Sequence, residues 1–361
     1  MWGFLLATIV ASLITPKVIA WYIKQNWVDN PSLDKHVKKT HSRPVPRGGG
    51  IVIFLAVALI SVLLLPIDKY LLAILTGAGL LTIIGWLDDV YDLSPYLRIF
   101  TGLVASLLVV GVGIGIAYIS NPFGSGVIRL DQPQFIFWWL GEERHIWILS
   151  SLLAVFFINW NMNIVNWSKG VDGQLPGFVS ASAIFIGLLA NSFQDSPTQF
   201  TSANLAYIVA GAYLGLLIWN WYPQKILPGY GAGSLAGYFL SVLAILSGAK
   251  LATTLMVLAI PTADGIFTIV RRLAAKKSPF WGDRGHLHHK LMDVFGWGRR
   301  RIAVFYWFSS VLMGWLSLHL GTVGKLSMVL LAGFAVFGLH LFTRYYQKSH
   351  LQPKQFSSTK K

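Results

Sequence analysis

Long apolar stretches separated by short polar ones dominate the chain. Runs without a single Asp, Glu, Lys or Arg cover 50–67, 70–87, 99–128, 145–168, 173–194, 196–224, 226–249, 302–324 and 326–343. A bilayer core is crossed by about 20 mostly apolar residues in a helix. The pattern predicts eleven spans, at 2–23, 50–66, 69–87, 99–120, 146–161, 177–193, 202–222, 232–248, 250–270, 302–319 and 324–344. The fold class expected is an all-α polytopic membrane protein, one transmembrane domain over 1–344 followed by a basic tail at 345–361. The first span reads as a helix rather than a cleaved signal peptide, because it lacks a basic leader and Lys17 lies at its far end. No internal repeat is evident.

Orientation follows from Lys and Arg. With the N-terminus outside, the inner segments are 24–49, 88–98, 162–176, 223–231, 271–301 and the tail from Arg344, so the C-terminus is cytoplasmic. They carry 23 Lys and Arg against five in the outer segments, a strong positive-inside bias. The one sizeable outer segment, 121–145, has a Gly-rich start and alternation through Val127-Ile128-Arg129-Leu130, which predicts a small hairpin. Trp138, Trp139 and Trp147 fall near the membrane interface.

Composition agrees. Of the 361 residues 55% are hydrophobic and only 12% charged, about half the fraction of a soluble domain. The 22 Phe, 15 Trp and 13 Tyr exclude a disordered chain. A net charge of +15 on a soluble protein would point to nucleic acid. Here nearly all of the excess lies on one membrane face, so nucleic acid is not the expected partner. With no Cys, disulfides, zinc-thiolate sites and a Cys nucleophile are excluded.

Four polar clusters are left unexplained by topology, and ionisable groups at the ends of apolar helices are costly unless paired or functional. The first is Asp88-Asp89-Val90-Tyr91-Asp92, followed by Ser94-Pro95, a helix cap and first helical residue. Its carboxylates read either as hard ligands for Mg²⁺ carrying a phosphate or as solvated acids where a helix stops. The second runs from Lys39-Thr40-His41 through Pro44-Val45-Pro46-Arg47 to three glycines. Cations beside close-approach backbone suit a phosphate, and equally an ordinary juxtamembrane basic loop. The third, Asn159 to Gly177, places Asn163 and Asn166 on one helical face ahead of Asp172; a capped helix end is the alternative. The fourth combines Arg271-Arg272 with Asp283-Arg284-Gly285-His286-Leu287-His288-His289. Zinc would need three or four converging ligands, and adjacent histidines cannot both point one way on a helix, so anion or nucleotide contacts are favoured.

In this order and on one face, the four clusters resemble the polyprenyl-phosphate N-acetylhexosamine-1-phosphate transferase family, glycosyltransferase family 4, and within it the GlcNAc-1-phosphate branch. Leu87 to Ser94 is similar to the family's Asp-Asp-x-x-Asp box. Ser278-Pro279-Phe280 to His289, with Asp264 upstream, resembles the sugar-nucleotide loop. The resemblance implies eleven spans and transfer of a sugar 1-phosphate from a UDP-N-acetylhexosamine to undecaprenyl phosphate in the bacterial plasma membrane. It also implies cell-envelope glycan synthesis, membrane-lipid surroundings and a homodimer. By position, Asp88, Asp89 and Asp172 would be catalytic and metal-holding, with Mg²⁺ as cofactor. Lys39, His41 and Arg47 would serve the entrance loop and Asn163 and Asn166 the nucleotide pocket. Asp264, Arg271, Asp283, His286, His288 and His289 would contact the diphosphate or sugar.

Two positions depart from the family pattern. The third motif is similar to Asn-x-x-Asn-x-x-Asp-Gly-x-Asp-Gly, but Lys169 stands where the first Asp belongs. The next, Gly-Asp-x-Gly-Ser in the family, reads Gly229-Tyr230-Gly231-Ala232-Gly233-Ser234 with no carboxylate. Three accounts follow: a transferase in which the Lys169 ammonium takes the metal's place opposite the diphosphate, a non-catalytic relative acting as a sensor or scaffold, or a transporter of lipid-linked sugar.

Overall fold

The computed structural model describes residues 2–31, 43–139, 142–192, 197–248, 251–279 and 284–350. The chain begins with α1 (Trp2–Lys24), then a two-residue ribbon, β1 (Val28–Asp29) antiparallel to β2 (Val45–Pro46), which leads into α2 (Gly49–Leu64). Two helices follow, α3 (Lys69–Tyr91) and α4 (Pro95–Gly111). Each start is capped by its sequence: Asp68 Oδ1 accepts from Leu71 N at 2.8 Å, and Ser94 Oγ from Leu97 N at 3.3 Å with Pro95 next. The fourth helix stops at Gly111 rather than 120, because the turn through Gly113 at φ 101° leads the chain into extended backbone.

The single outer hairpin expected over 121–145 is two hairpins. β3 (Tyr118–Ser120) pairs with β4 (Val127–Arg129), and β5 (Gln134–Trp139) with β6 (Glu142–Trp147), both antiparallel. The second was hidden because its aromatic run, Phe135 to Trp139, lacks the alternation that marks a half-buried strand. Next come α5 (Ile148–Trp167), α6 (Gln174–Asn191), α7 (Pro197–Asn220) and α8 (Gly229–Leu246).

The predicted span at 250–270 is broken. α9 (Leu251–Val257) and α10 (Ala259–Ala274) meet at 78°. Pro261 explains the break: its ring would clash with the carbonyl four residues back, at Val257, where α9 ends. A short α11 (Leu287–Asp293) and two long helices, α12 (Arg299–His319) and α13 (Thr322–His350), complete the chain. The last helix runs past the expected tail boundary, through His350.

Among the described residues, eight helices are long and apolar enough to cross a membrane, and the bent pair makes a ninth candidate. α2 and α4 are apolar but shorter, at 16 and 17 residues. The protein is an all-α, multi-pass membrane protein. Its surface carries large apolar side chains, among them Leu63, Leu152, Phe156, Phe308 and Phe334, while Ser61, Ser106, Asn161 and Ser241 are buried. Inside lipid such polar groups need partners, and the hydroxyls of Thr15, Thr82 and Ser106 donate to carbonyls one turn back.

The core is α8, nearly all of it buried. Its small residues let neighbouring backbones approach closely. A Cβ on Gly85 of α3 would lie 2.4 Å from Gly231 Cα, and one on Gly50 of α2 would lie 2.7 Å from the same atom. On the α5 side, a Cβ on Gly237 would meet the Asn161 backbone at 2.3 Å. Gly85→Leu is therefore expected to destabilise the fold by about 1–3 kcal/mol or more through overpacking. It should lower the thermal unfolding temperature in detergent, whereas Gly333→Ala, at a position with nothing within 4 Å, should leave it unchanged.

Candidate active site

The close packing of α2, α3, α5 and α8 brings the clusters together at one end of the bundle. At the end of α3, Asp88 is buried and Arg98, one turn into α4, reaches it with Nη1 at 3.2 Å from Oδ1 and 3.3 Å from Oδ2. Asp89 Oδ1 accepts from Tyr230 N at 2.9 Å. Gly229 holds φ 67°, and a side chain there would strike Asp89 Oδ2 and the Arg47 carbonyl, so only glycine allows this approach. Asp92 ends α3 in a left-handed turn at φ 51° and is exposed, so the helix does not carry it onto the face of Asp88.

Lys169 enters from the loop after α5. Its Nζ donates to Gly229 O at 2.5 Å and lies 6.0 Å above the Tyr230 ring, with Arg98 on the same ring at 5.4 Å. Burial pushes the Lys169 pKa down to about 8, against the pull of Asp89 and Asp88. Arg47 is tied by Nε to Asp29 Oδ2 at 3.1 Å; burial opposes its charge, but Asp29, Asp89 and Asp92 outweigh that and hold it protonated. The result is two carboxylates among three cations, with an aromatic face below two of them. Around the family's acidic position, a Cβ on Gly231 would lie 3.1 Å from Gly50 Cα, a tight contact, while Tyr230 faces the cluster.

Asp172 lies elsewhere. It is buried, its Oδ2 accepts from Gln224 N at 3.2 Å and its Oδ1 is 3.7 Å from Arg299. Among the described residues no three His, Asp or Glu side chains converge on a point that could hold a metal ion. The triad of Asp88, Asp89 and Asp172 expected for Mg²⁺ is therefore not assembled. Asp88 and Asp89 face cations, and Asp172 supports the turn between α7 and α8.

Asn163 spends its amide on Asn159 O, one turn back at 2.8 Å. Asn166 packs on Gly233 of α8, where any Cβ would meet its Oδ1 at 2.2 Å, and that oxygen is buried without a partner. The histidines form a second layer. His288 packs its Nε2 on Gly170, next to Lys169. Burial pushes the pKa of His288 well down and that of His289 to about 4, so both are neutral imidazoles, and their Nδ1 atoms have no partner.

His286 is anchored from behind. Its Nδ1 bonds Asp264 Oδ2 at 2.9 Å, while Asp264 Oδ1 takes Leu287 N at 2.7 Å and His340 Nε2 at 2.9 Å. Asp264 thus joins α10, α11 and α13 at one buried point. Arg271 packs on Gly285 and lines a separate cavity to which Asp88, Asp89 and Lys169 do not contribute. Lys39, His41 and Asp283 lie outside the described residues.

Sequence reasoning missed Arg98 and His340. Arg98 is the one charged residue of α4, and His340 sits in the apolar stretch of α13 between Lys325 and Arg344; an ionisable residue inside an apolar stretch is itself a functional signal. The partners could not be read, because 10 residues separate Arg98 from Asp88 and 76 separate His340 from Asp264.

Comparison with known proteins finds relatives over most of the chain. A family profile described as Glycosyl transferase family 4 matches residues 71–248. A Bacillus subtilis protein named "Probable undecaprenyl-phosphate N-acetylglucosaminyl 1-phosphate transferase" is 28% identical over 94% of this chain and 89% of its own. Decaprenyl-phosphate N-acetylglucosaminephosphotransferase of Mycolicibacterium smegmatis is 28% identical over 81% of this chain and 76% of its own. Undecaprenyl-phosphate alpha-N-acetylglucosaminyl 1-phosphate transferase of Yersinia pestis is 28% identical over 84% and 78%. A membrane-embedded enzyme of the glycosyl-1-phosphate transferase class is what the fold and the relatives define together. Over residues 71–248 the chain matches glycosyl transferase family 4.

Asp264→Ala removes the acceptor shared by two histidines and a backbone amide. It is expected to cost about 3–5 kcal/mol, because three buried donors lose their acceptor, seen as a large drop in thermal unfolding temperature. Asp264→Asn, which keeps one carbonyl acceptor, should lose less.

Proposed function

We propose that the protein transfers N-acetylglucosamine 1-phosphate from UDP-N-acetylglucosamine to undecaprenyl phosphate at the cytoplasmic face of the plasma membrane. An oxygen of the lipid phosphate bonds to the β-phosphorus, the bond from that phosphorus to the bridging oxygen breaks, and UMP leaves. The product is lipid-diphosphate-sugar for cell-envelope glycan synthesis. The reading includes eleven crossings, with the N-terminus outside and the motif loops inside. Its support is the naming of a polyprenyl phosphate and an N-acetylglucosaminyl phosphate group in all three relatives.

The observation that carries the mechanism is Lys169 seated among Asp88, Asp89, Arg98 and Tyr230. Phosphoryl transfer asks a protein mainly for positioning and charge neutralisation, and the attacking lipid phosphate is already an anion that needs no general base. Asp88 and Asp89 orient Arg98 and Lys169, and the cations face the diphosphate. The neutral His288 and His289, with unpartnered Nδ1 atoms, hydrogen-bond to the phosphate or sugar rather than add charge. Asn166 Oδ1, likewise unpartnered, suits a donor on the nucleotide.

The Mg²⁺ that the family pattern implies does not fit these residues. A hard divalent ion takes several oxygen ligands, whereas here two carboxylates face cations and the third is at another turn. No step is therefore assigned to a metal, and Lys169 supplies the charge as a point cation.

The test is purified protein with radiolabelled UDP-N-acetylglucosamine and undecaprenyl phosphate, with and without EDTA. Lipid-linked product that persists in EDTA is expected. Absence of product with any UDP-sugar overturns the proposed reaction, and product that vanishes with EDTA overturns the role given to Lys169. Lys169→Ala should lower kcat by about a hundredfold or more while the protein remains folded.

The pH dependence has a definite sign. The charged form of Lys169 is the active one and its pKa is lowered to about 8. The limb of kcat/KM, which reports the free enzyme, should fall as pH rises through about 8 rather than near the ordinary lysine value. Lys169→Arg should abolish that limb in whatever activity remains.

A further inference from the structure

The β5–β6 hairpin forms a sheet of its own and carries apolar side chains on both faces. Successive strand residues point to opposite faces. Phe135 and Phe137 therefore share one face, stacked with ring centroids 5.8 Å apart, and Ile136 and Trp138 share the other. Phe135, Ile136, Trp138 and Ile146 are all exposed, Trp138 to 71%. A two-stranded hairpin is marginally stable at best in water, and apolar side chains this exposed mark a surface that something covers.

Polarity divides the ribbon by strand rather than by face. β5 reads Gln-Phe-Ile-Phe-Trp-Trp, whereas β6 opens with Glu-Glu-Arg-His before Ile146 and Trp147. The register sets Trp138 opposite Glu143 and Ile136 opposite His145. Glu143 and His145 are exposed, with Oε1 3.4 Å from Nε2. One long edge of the hairpin is thus apolar and the other largely polar.

The place of the hairpin in the fold points to its cover. Its base is fixed to the start of α5, where Ile148 N donates to Pro133 O at 3.2 Å and Ser150 N to Leu130 O at 3.1 Å. β6 passes directly into α5 at Trp147 and Ile148. The next exposed residues of that helix are Leu149, Leu152 and Phe156, which face acyl chains in a membrane-crossing helix. The apolar surface of α5 therefore continues onto Trp147, Ile146 and β5. Lys169 follows the other end of α5, so the hairpin and the transfer site lie at opposite ends of one helix. A protein partner docked on one face of the ribbon would leave the other face wet, whereas a lipid interface surrounds both. The free edges of a two-stranded ribbon bar it from the hydrocarbon core, where open sheet edges do not occur. The headgroup region supplies water to those edges and favours Trp.

We infer that the β5–β6 hairpin is a lipid-binding surface, lying edge-on in the membrane interface remote from the transfer site. Phe135, Ile136 and Trp138 of β5 sit at the boundary of headgroups and acyl chains, and Glu143 and His145 of β6 stand in water. The partner is the bilayer itself, and the transfer reaction does not enter the argument.

The chain has no Cys, so a single introduced Cys carries the only thiol-linked spin label. Full-length Ile136→Cys, Trp138→Cys and Glu143→Cys are labelled in nanodiscs of phosphatidylglycerol and phosphatidylcholine. Each label is read by its collisions with oxygen, which concentrates in lipid, and with a water-soluble nickel chelate. Phe156→Cys supplies the lipid-embedded reference. The two β5 labels should collide preferentially with oxygen and report depths of about 5–10 Å, those of an interfacial apolar face. The Glu143→Cys label should collide preferentially with nickel. Nickel-dominated collisions at both β5 positions, matching Glu143→Cys, overturn the inference and leave the hairpin in water. Protection of both β5 labels from oxygen and nickel alike also overturns it and makes the surface a contact between protein chains. Thermal unfolding confirms that the variants fold. Should Trp138→Cys not fold, Phe135→Cys carries the same expectation.

Discussion

The structure depends on one constraint, the backbone-to-backbone approach that the glycines of α8 permit. In lipid no hydrophobic driving force holds helices together, so close van der Waals packing must do so. Gly231 meets both Gly50 and Gly85, Gly233 meets Asn166, and Gly237 meets the Asn161 backbone. These contacts draw the ends of α2, α3 and α5 onto the start of α8, and those ends carry the ionisable residues. The site exists because four helix termini converge, and they converge because their crossing points have no side chains.

Charge placement follows. In a low-dielectric setting Asp88 and Asp89 could not remain ionised alone, and Arg98, Lys169 and Arg47 stand where they compensate. The Tyr230 ring offers its negative face to two of those cations. An aromatic face and a lysine thereby occupy the region where the family pattern has acids. The Asp264 junction plays the matching part for the histidine layer: one carboxylate fixes α10, α11 and α13, and holds His286 while His288 rests on the Lys169 loop.

Much of this was legible from the chain. The apolar runs marked the helices because lipid exposure demands long uncharged segments. The cap at Ser94-Pro95 was readable because capping is local. The acid box and the histidine run were visible as polar residues with no topological reason to be there. The break at Val257 and Leu258 was hidden inside a continuous apolar run, although Pro261 was its local cause. The second outer hairpin and the separation of Asp172 from Asp88 and Asp89 were likewise invisible, since both depend on pairing or packing between distant segments.

What the sequence determined by itself was the kind of protein and the inventory of its chemistry: a polytopic helical membrane enzyme with acids, cations, amides and imidazoles at the helix ends. Periodicity and charge are local properties and survive without a fold. What only the tertiary structure decided was the assignment of partners. It set Lys169 beside Asp88, Asp89 and the Tyr230 ring, sent Asp172 to Gln224 and Arg299, and joined His340 to Asp264. Those pairings follow from where helices cross, and helix crossings are fixed by side-chain volume at contacts between residues far apart along the chain.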